Sequence, residues 1–118
     1  MTGGAGFIGS HLADALLHRG YRVRVLDALT EQVHGGSRSF PAYLSRDVEK
    51  ISGDVRDRDD VLRALDEVDA VFHFAAAVGV GQSMYEIESY TDINNRGTAV
   101  LLEALLRRPV GKLVVASS

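Results

Sequence analysis

The sequence predicts an α/β fold built on a doubly wound parallel sheet, with helices on both faces. Short β-rich runs alternate with helical patterns along the chain, and strands separated by helices of this length are typical of βαβ units. A glycine-rich turn stands directly before the first helical pattern. There is no internal repeat and no domain boundary, so the 118 residues form one domain or part of one.

The composition is that of an ordinary globular domain and excludes several classes of protein. Hydrophobic residues make up 46% and charged residues 25% of the chain, and the formal net charge is −3. A weakly acidic chain has no broad attraction for nucleic acid or an anionic membrane, and no apolar run is long enough to span a bilayer. Without Cys there are no disulfides or thiolate metal sites, and the four histidines lack metal-ligand spacing. We therefore expect a cytoplasmic protein with no bound metal.

The first helix and strand follow from the spacing of apolar residues. Apolar residues recur every four positions from Ile8 to Leu16, which predicts a helix over 8–19. Gly20 is suited to end this helix because it adopts a positive φ without steric cost. In residues 21–26 arginines alternate with valines, which predicts a strand with one less covered face.

The middle of the chain combines a long loop, a strand and a short helix. Residues 28–47 contain a proline and a glycine pair, which predicts a long loop with at most a turn of helix. Residues 48–51 predict a short strand. Asp57 is placed to cap a helix that ends near residue 66, with its apolar side chains facing inward.

The last third of the chain predicts two strands and a long helix. Residues 70–74 form an apolar strand, and a turn of small residues follows it at 75–81. Helical spacing predicts a helix over 89–107, which Pro109 ends because its ring is incompatible with a helix interior. Residues 112–116 predict the final strand.

The pattern is incomplete at both ends. A glycine turn of this kind follows a strand, yet only Met1 and Thr2 precede it here, and no helix follows the last strand. That first strand normally lies at the middle of the sheet. We therefore predict a truncated fold in which the first strand and the C-terminal part are missing.

The glycine turn predicts a phosphate-binding site. Gly3, Gly6 and Gly9 would allow, in turn, the tight turn, the approach of a pyrophosphate to the backbone, and close packing of helix on sheet. The backbone N–H groups near Phe7 and Ile8 would then point at the phosphates, aided by the helix dipole. A lone glycine motif is weak evidence, and the alternative is an ordinary glycine-rich turn. Here it opens an amphipathic helix and a strand follows, which favours a Rossmann-type dinucleotide site.

Asp27 predicts which dinucleotide is bound. It lies 18 residues after Gly9, close to the spacing of about 20 expected for a ribose-binding carboxylate. A carboxylate accepts hydrogen bonds from the ribose hydroxyls of NAD and would repel the 2′-phosphate of NADP. The positive charges of Arg24 and Arg38 would offset that repulsion, but the alternation of arginines and valines in residues 21–26 places Arg24 on the solvent-side face of the strand. The sequence therefore favours NAD, and the alternative for Asp27 is a simple turn former.

Five stretches together resemble the extended short-chain dehydrogenases/reductases, specifically the NAD-dependent sugar epimerase/dehydratase family. They are TGGAGFIGSH at 2–11, GDVRD at 53–57, VFHFAAA at 71–77, YTDINNRGT at 90–98 and VVASS at 114–118. The resemblance covers the whole chain, and five markers in the right order are more specific than any one of them. It implies that 1–118 is a partial NAD(P)-binding Rossmann domain and that the substrate-binding C-terminal domain is absent.

The resemblance also implies roles for residues that follow the second and third strands. Asp54 and Val55 would flank the adenine, although a polar turn after a glycine explains Asp54 equally on sequence alone. Phe74, Ala75 and Ala76 would line the cofactor where it passes the end of the strand, and plain core packing is their alternative.

Two further residues would belong to the active site. Asn94 would lie inside a helix, where Asn is unfavourable without a side-chain partner, and would help to order the site. Ser118 would align with the family's catalytic Ser or Thr, which hydrogen-bonds the reacting sugar oxygen. The alternative is that Ser117 and Ser118 are merely polar residues at a strand end.

The function implied is the epimerisation or dehydration of a nucleotide-activated sugar, by transient oxidation at a ring carbon and return of the hydride. The family's Tyr-x-x-x-Lys pair, in which the Tyr takes the substrate proton, does not occur in this chain. We therefore expect the chain alone to be inactive. A non-catalytic NAD(H)-binding module and an inactive truncated product remain alternatives. Family members commonly pair through helices, but the outward face of the long helix is polar, so a homodimer stays open.

Overall fold

The structure is a computed structural model that describes residues 1–36 and 39–117, and it confirms the α/β class. The strands are β1 (Arg24–Asp27), β2 (Glu49–Ser52), β3 (Ala70–His73) and β4 (Lys112–Val115). The helices are α1 (Phe7–His18), α2 (Glu31–His34), α3 (Arg58–Ala64), α4 (Val80–Ser83), α5 (Ile87–Thr91) and α6 (Gly97–Arg107), with a π-helical segment (Asp92–Arg96) between α5 and α6.

The sheet consists of two parallel pairs joined by the backbone around Thr2. β1 pairs with β2, and β3 pairs with β4. Thr2 forms isolated parallel bridges with Leu26 and His73. Its own N–H donates to Phe72 O at 2.9 Å, and the next N–H, from Gly3, donates to Leu26 O at 2.9 Å. The order across the sheet is therefore β2, β1, Thr2, β3, β4, and Thr2 occupies the position that the sequence assigns to a first strand.

The two faces of the sheet are covered by different helices. Val25 is fully buried on the face that packs against α1 and the loop before β2, with Ala13, Leu44 and Val48. The next residue, Leu26, is buried on the opposite face against α3 and α6, with Val61, Val71, Leu101 and Ala104. Since each Val or Leu side chain contributes about 1.5–3 kcal/mol when fully buried, both layers stabilise the doubly wound arrangement.

β1 begins later than the sequence predicts, because Tyr21 belongs to the end of α1. The Tyr21 N–H donates to Leu16 O at 3.1 Å and the Gly20 N–H donates to Leu17 O at 2.9 Å, with Gly20 at φ +83°. These are the two hydrogen bonds of a Schellman motif. The prediction for Gly20 is confirmed, whereas the strand predicted over 21–26 is wrong in its first three residues.

The remaining boundaries lie close to their predictions. The other three strands differ by one residue from their predicted bounds, and the described part of the long loop contains the short helix α2. Asp57 caps α3 as predicted, since its carboxylate accepts from the N–H groups of Asp59 at 2.8 Å and Asp60 at 3.1 Å. The predicted helix over 89–107 begins at residue 87 and is interrupted by the π-helical segment.

Two features of the helices bear on the predictions about pairing and membranes. The outward face of α6 is not uniformly polar, because Leu102 is 47% and Leu106 85% exposed. Among the described residues, no helix combines the length and the apolar character that crossing a membrane requires.

Candidate functional site

Two of the three motif glycines, Gly3 and Gly9, leave no space for a side chain. Gly3 has φ +65°, and a Cβ there would lie 2.6 Å from Ala75 N. A Cβ on Gly9 would lie 2.6 Å from Gly3 O and from the Cα of Gly4, so α1 approaches the turn closely. Gly6 is different, because its Cβ would meet only Gly3 O at 3.4 Å. The outward surface above Gly6 is therefore open.

The amino end of α1 faces this open surface. α1 has 12 residues, its N-cap is Gly6, and no side chain caps it. The side chains of Phe7 and Ile8 are 78% and 66% exposed. The first N–H groups of a helix have no intrahelical acceptor, and together with the helix dipole they favour an anion.

Asp27, the last residue of β1, connects the glycine turn to the loop that follows. Its Oδ2 accepts from Ala5 N at 2.9 Å, and its Oδ1 accepts from Leu29 N at 2.9 Å. The His34 Nε2 lies 3.7 Å from Oδ1, and the Asp27 side chain is 11% exposed. A carboxylate has about four acceptor positions, so acceptor capacity remains. The turn-forming role considered for Asp27 is present, since the bond to Leu29 closes a local turn.

The long loop returns to the glycine turn through Tyr43. The Tyr43 hydroxyl donates to Ala5 O, and the neighbouring Leu44 is buried in the α1 layer. Ala5 therefore has both of its backbone groups held by side chains, from Asp27 and Tyr43. No local sequence signal points to this role of Tyr43, because Ala5 is 38 positions away along the chain.

Asp54 lies just beyond the end of β2 and is held by an arginine. Its carboxylate accepts from Arg56 Nε at 3.0 Å and from Arg56 Nη2 at 2.6 Å. The Arg56 N–H also donates to Asp54 Oδ1 at 2.8 Å, which is the local turn considered as the alternative. The next residue, Val55, is buried and lies so close to Gly97 that a Cβ there would be 2.7 Å from its methyl group.

Arg56 joins two carboxylates. Its Nη1 donates to Asp92 Oδ2 at 2.7 Å, and Asp92 also pairs with Arg96 at 3.1 Å. The hydrogen bond from Arg56 holds the pKa of the Asp54 carboxyl below its ordinary value. Hydrogen bonds from Arg56 and then Arg96 lower the pKa of Asp92. The end of β2 is thereby tied to the π-helical segment.

The backbone after β3 is held from two sides. The Phe74 N–H donates to Thr2 O at 3.1 Å, and the Ala75 N–H donates to the Thr2 hydroxyl at 3.2 Å. Phe74 and Ala75 are half-buried, and Ala75 packs against the α3 and α6 layer, whereas Ala76 is exposed. The core-packing alternative therefore fits Ala75 but does not fit Ala76.

Asn94 holds the same loop from the π-helical segment. Its Oδ1 accepts from Ala77 N at 2.8 Å, and its Nδ2 donates to Ala77 O at 3.0 Å. The segment places Asn94 toward the loop while the neighbouring Asn95 is exposed. Such π-helical turns are frequent at functional sites. The expectation of a side-chain partner for Asn94 is confirmed.

The structure gathers most of the predicted residues at one edge of the sheet. The glycine turn, Asp27 and the loop 74–77 are linked by the hydrogen bonds described above, at the carboxyl ends of β1 and β3. Asp54 lies just beyond the carboxyl end of β2, but its carboxylate is hydrogen-bonded to Arg56. Arg24 is at the amino end of β1, where it pairs with Glu49 at 2.8 Å, far along the strand from Asp27. Ser118 and Arg38 lie outside the described residues.

A buried histidine at the end of β3 has specific hydrogen-bond partners. His73 is 4% exposed. Its Nδ1 lies 2.7 Å from the Thr2 hydroxyl, and its Nε2 lies 3.0 Å from the Thr98 hydroxyl. No local signal reveals this arrangement, because the two threonines are 71 and 25 positions away. No metal-binding group of side chains is present among the described residues.

A doubly wound parallel sheet with a glycine turn where the strand order reverses defines a nucleotide-binding protein of the Rossmann type. Comparison with known proteins narrows this class. The profile of the NAD dependent epimerase/dehydratase family matches residues 1–118. The chain belongs to the NAD dependent epimerase/dehydratase family.

Individual relatives agree with this assignment. A UDP-glucose 4-epimerase of Neisseria meningitidis serogroup C is 38% identical over 120 residues, covering all of this chain and 35% of the relative. A solved UDP-glucose 4-epimerase of Thermus thermophilus, in complex with NAD, superposes with a TM-score of 0.87 at 39% identity, over 99% of this chain and 36% of that one. The dTDP-glucose 4,6-dehydratase DesIV of Streptomyces venezuelae, with NAD and TYD bound, gives 0.81 at 37% identity, over 95% and 36%. The chain thus spans about a third of the length of these relatives.

Proposed function

We propose that this chain is the NAD-holding part of a nucleotide-sugar epimerase or dehydratase. The observation that carries the proposal is the position of Asp27, whose carboxylate is bonded to the glycine turn through Ala5 and keeps acceptor capacity for a ribose. The turn fits the pyrophosphate, because the surface above Gly6 is open and α1 has no side-chain cap. NAD, when bound, accepts a hydride from a sugar carbon and returns it.

Each proposed contact with the cofactor involves a residue that the structure describes. Gly3, Gly6 and Gly9, with the N–H groups near Phe7 and Ile8, would hold the pyrophosphate. Asp27 would bind the adenosine ribose, and Asp54 and Val55 would flank the adenine. Phe74, Ala75 and Ala76 would line the cofactor where its ribose and phosphate pass the end of β3, with Asn94 fixing the backbone beside them. Ser118 remains the proposed partner of the sugar oxygen.

Binding of NADH and NADPH, followed by nicotinamide fluorescence, tests the cofactor proposal. The chain should bind NADH more tightly than NADPH, because the Asp27 carboxylate repels a 2′-phosphate. Asp27→Asn should weaken NADH binding by about tenfold and reduce the preference over NADPH. Asp47→Asn makes the same charge change at an exposed loop position and should leave both affinities unchanged. Tighter binding of NADPH, or no binding of either, would contradict the proposal.

Turnover is proposed for the whole protein and not for these 118 residues. None of the four tyrosines is followed by Lys four positions later, so this chain lacks the proton acceptor that the family resemblance implies. We expect the purified chain with NAD to leave UDP-glucose unchanged. The second candidate is a module that binds NAD(H) without catalysis, and it would be favoured only if no Tyr-x-x-x-Lys pair followed residue 118 in the whole protein. Epimerisation of UDP-glucose by the purified chain would refute both statements.

The proposal includes association through α6. Leu102 and Leu106 are four residues apart, so they share one face of the helix, and both are exposed. Analytical ultracentrifugation should show a dimer that Leu106→Lys shifts toward monomer. A monomer at all concentrations would remove this part of the proposal.

A further inference from the structure

His73 has no role in the function proposed so far, although its ring touches two elements of the site. It is the last residue of β3 and lies between Thr2, which precedes the glycine turn, and Thr98 in α6. A polar ring that is 4% exposed needs hydrogen-bond partners on both nitrogens. Both are present, at 2.7 Å and 3.0 Å.

The neighbouring hydrogen bonds determine which nitrogen carries the proton. The Thr98 hydroxyl donates its only proton to Asn94 O at 2.6 Å, so it must accept from His73 Nε2–H. A neutral imidazole has a single N–H, so Nδ1 accepts from the Thr2 hydroxyl. That hydroxyl in turn accepts from Ala75 N–H at 3.2 Å. The result is a one-directional relay from Ala75 N–H through Thr2, His73 and Thr98 to Asn94 O.

The two ends of the relay hold the same short loop. Ala75 N–H starts it, and Asn94, whose carbonyl ends it, binds both backbone groups of Ala77 through its side chain. Thr2 also precedes Gly3, whose Cα is packed against the backbone at Ala75. The relay therefore spans the contact between the glycine turn and the loop 75–77.

We infer that His73 is a positioning residue, whose neutral Nε2–H ring locks the glycine turn and the loop 75–77 into one geometry for the cofactor. This inference rests on the proposed function, since it concerns the same site. Among the described residues, the ring nitrogens are hydrogen-bonded to the hydroxyls of Thr2 and Thr98, and just after β4 the Ala116 N–H donates to the His73 carbonyl at 3.1 Å. Burial lowers the pKa of His73 below its ordinary 6.5, which keeps the ring neutral at pH 7.

Matched variants at the two threonines test the relay without removing the ring. Thr2→Val and Thr98→Val keep the side-chain shape but lose the hydroxyl, whereas Thr2→Ser and Thr98→Ser keep the hydroxyl. Each valine variant should bind NADH about tenfold more weakly, and each serine variant should bind it as the unmodified chain does. Thr98→Val should also speed amide exchange at Ala75, on the far side of the ring, if the relay acts as one unit.

The imidazole ¹⁵N chemical shifts provide a readout that does not depend on the cofactor. They should show the Nε2–H tautomer at pH 7. An Nδ1–H tautomer or an imidazolium would overturn the inference, as would valine variants that bind NADH normally. If the unmodified chain binds no NADH, the proposed function fails and the positioning role fails with it. The nitrogen shifts and the exchange at Ala75 would then still decide whether the relay exists.

Discussion

The Asn94 side chain and the Ala77 backbone form a reciprocal pair of hydrogen bonds, with Ala77 N–H donating to Oδ1 at 2.8 Å and Nδ2 donating to Ala77 O at 3.0 Å. The pair fixes the orientation of the amide, because only one assignment of its oxygen and nitrogen satisfies both bonds. It also accounts for an Asn inside a helical stretch, where the residue is otherwise unfavourable.

Loss of this pair should destabilise the protein. Asn94→Leu leaves the half-buried N–H and C=O of Ala77 without partners, and we expect a loss of about 1–3 kcal/mol in the free energy of unfolding. Urea denaturation measures it. Asn95→Leu, at an exposed position of the same π-helical segment, should change stability by less than about 0.5 kcal/mol. Equal effects of the two substitutions would show that the pair with Ala77 contributes nothing specific.

Gly9→Ala should damage both stability and cofactor binding. The added Cβ would lie 2.6 Å from two backbone atoms, Gly3 O and Gly4 Cα, so the turn itself must move. We expect destabilisation of about 1–3 kcal/mol, seen as a lower melting temperature, together with loss of NADH binding. Gly81→Ala is the control, because a Cβ there meets nothing within 4 Å. Unchanged NADH binding in Gly9→Ala would rule out the close packing described here.

Asp57→Ala should cost about 1 kcal/mol of stability, because it removes the side-chain acceptor for two N–H groups at the start of α3. Asp57→Asn retains a capping oxygen and should be close to the unmodified chain. Both values come from chemical denaturation at neutral pH. An equal loss in Asp57→Asn and Asp57→Ala, both of which remove the charge, would mean that the charge, and not the cap, matters at this position.

Arg56 should make stability depend on pH in the acid range. It lowers the pKa of Asp54 and of Asp92 in the folded state, so the favourable interaction is complete above the unfolded value of 3.8. It is lost as the pH falls through the lowered folded values. Arg56→Gln should therefore flatten the decrease in stability below pH 4, measured by urea unfolding between pH 2 and 7. Arg63→Gln, which removes a more exposed arginine paired with Asp60, should leave the slope nearly unchanged.

Features that depend on neighbouring residues could be predicted from the sequence. The cap by Asp57, the helix end at Gly20 and the glycine turn each follow from the chemistry of a few consecutive residues. The predicted start of β1 was wrong because the Tyr21 N–H donates to the end of α1 and not to the sheet. The alternation of side chains does not reveal where this N–H donates.

Long-range features of the site could not be predicted in this way. The bond from Tyr43 to Ala5 and the relay through His73 join residues that only the folded sheet brings together. The sequence pattern also does not predict the π-helical segment, because one extra residue in a turn hardly alters the apolar pattern of a long helix. Its effect is visible only in where Asn94 and Asn95 point.

The bridge at Thr2 makes the middle of the sheet a seam. On one side of the seam, β1 and β2 carry Asp27 and Asp54; on the other, β3 leads into the loop that Asn94 holds. A dinucleotide bound as proposed would lie across the seam, with one nucleoside on each side of Thr2. A ligand that binds only the folded sheet stabilises it by mass action. The bound cofactor would therefore stabilise the fold in addition to taking part in the reaction.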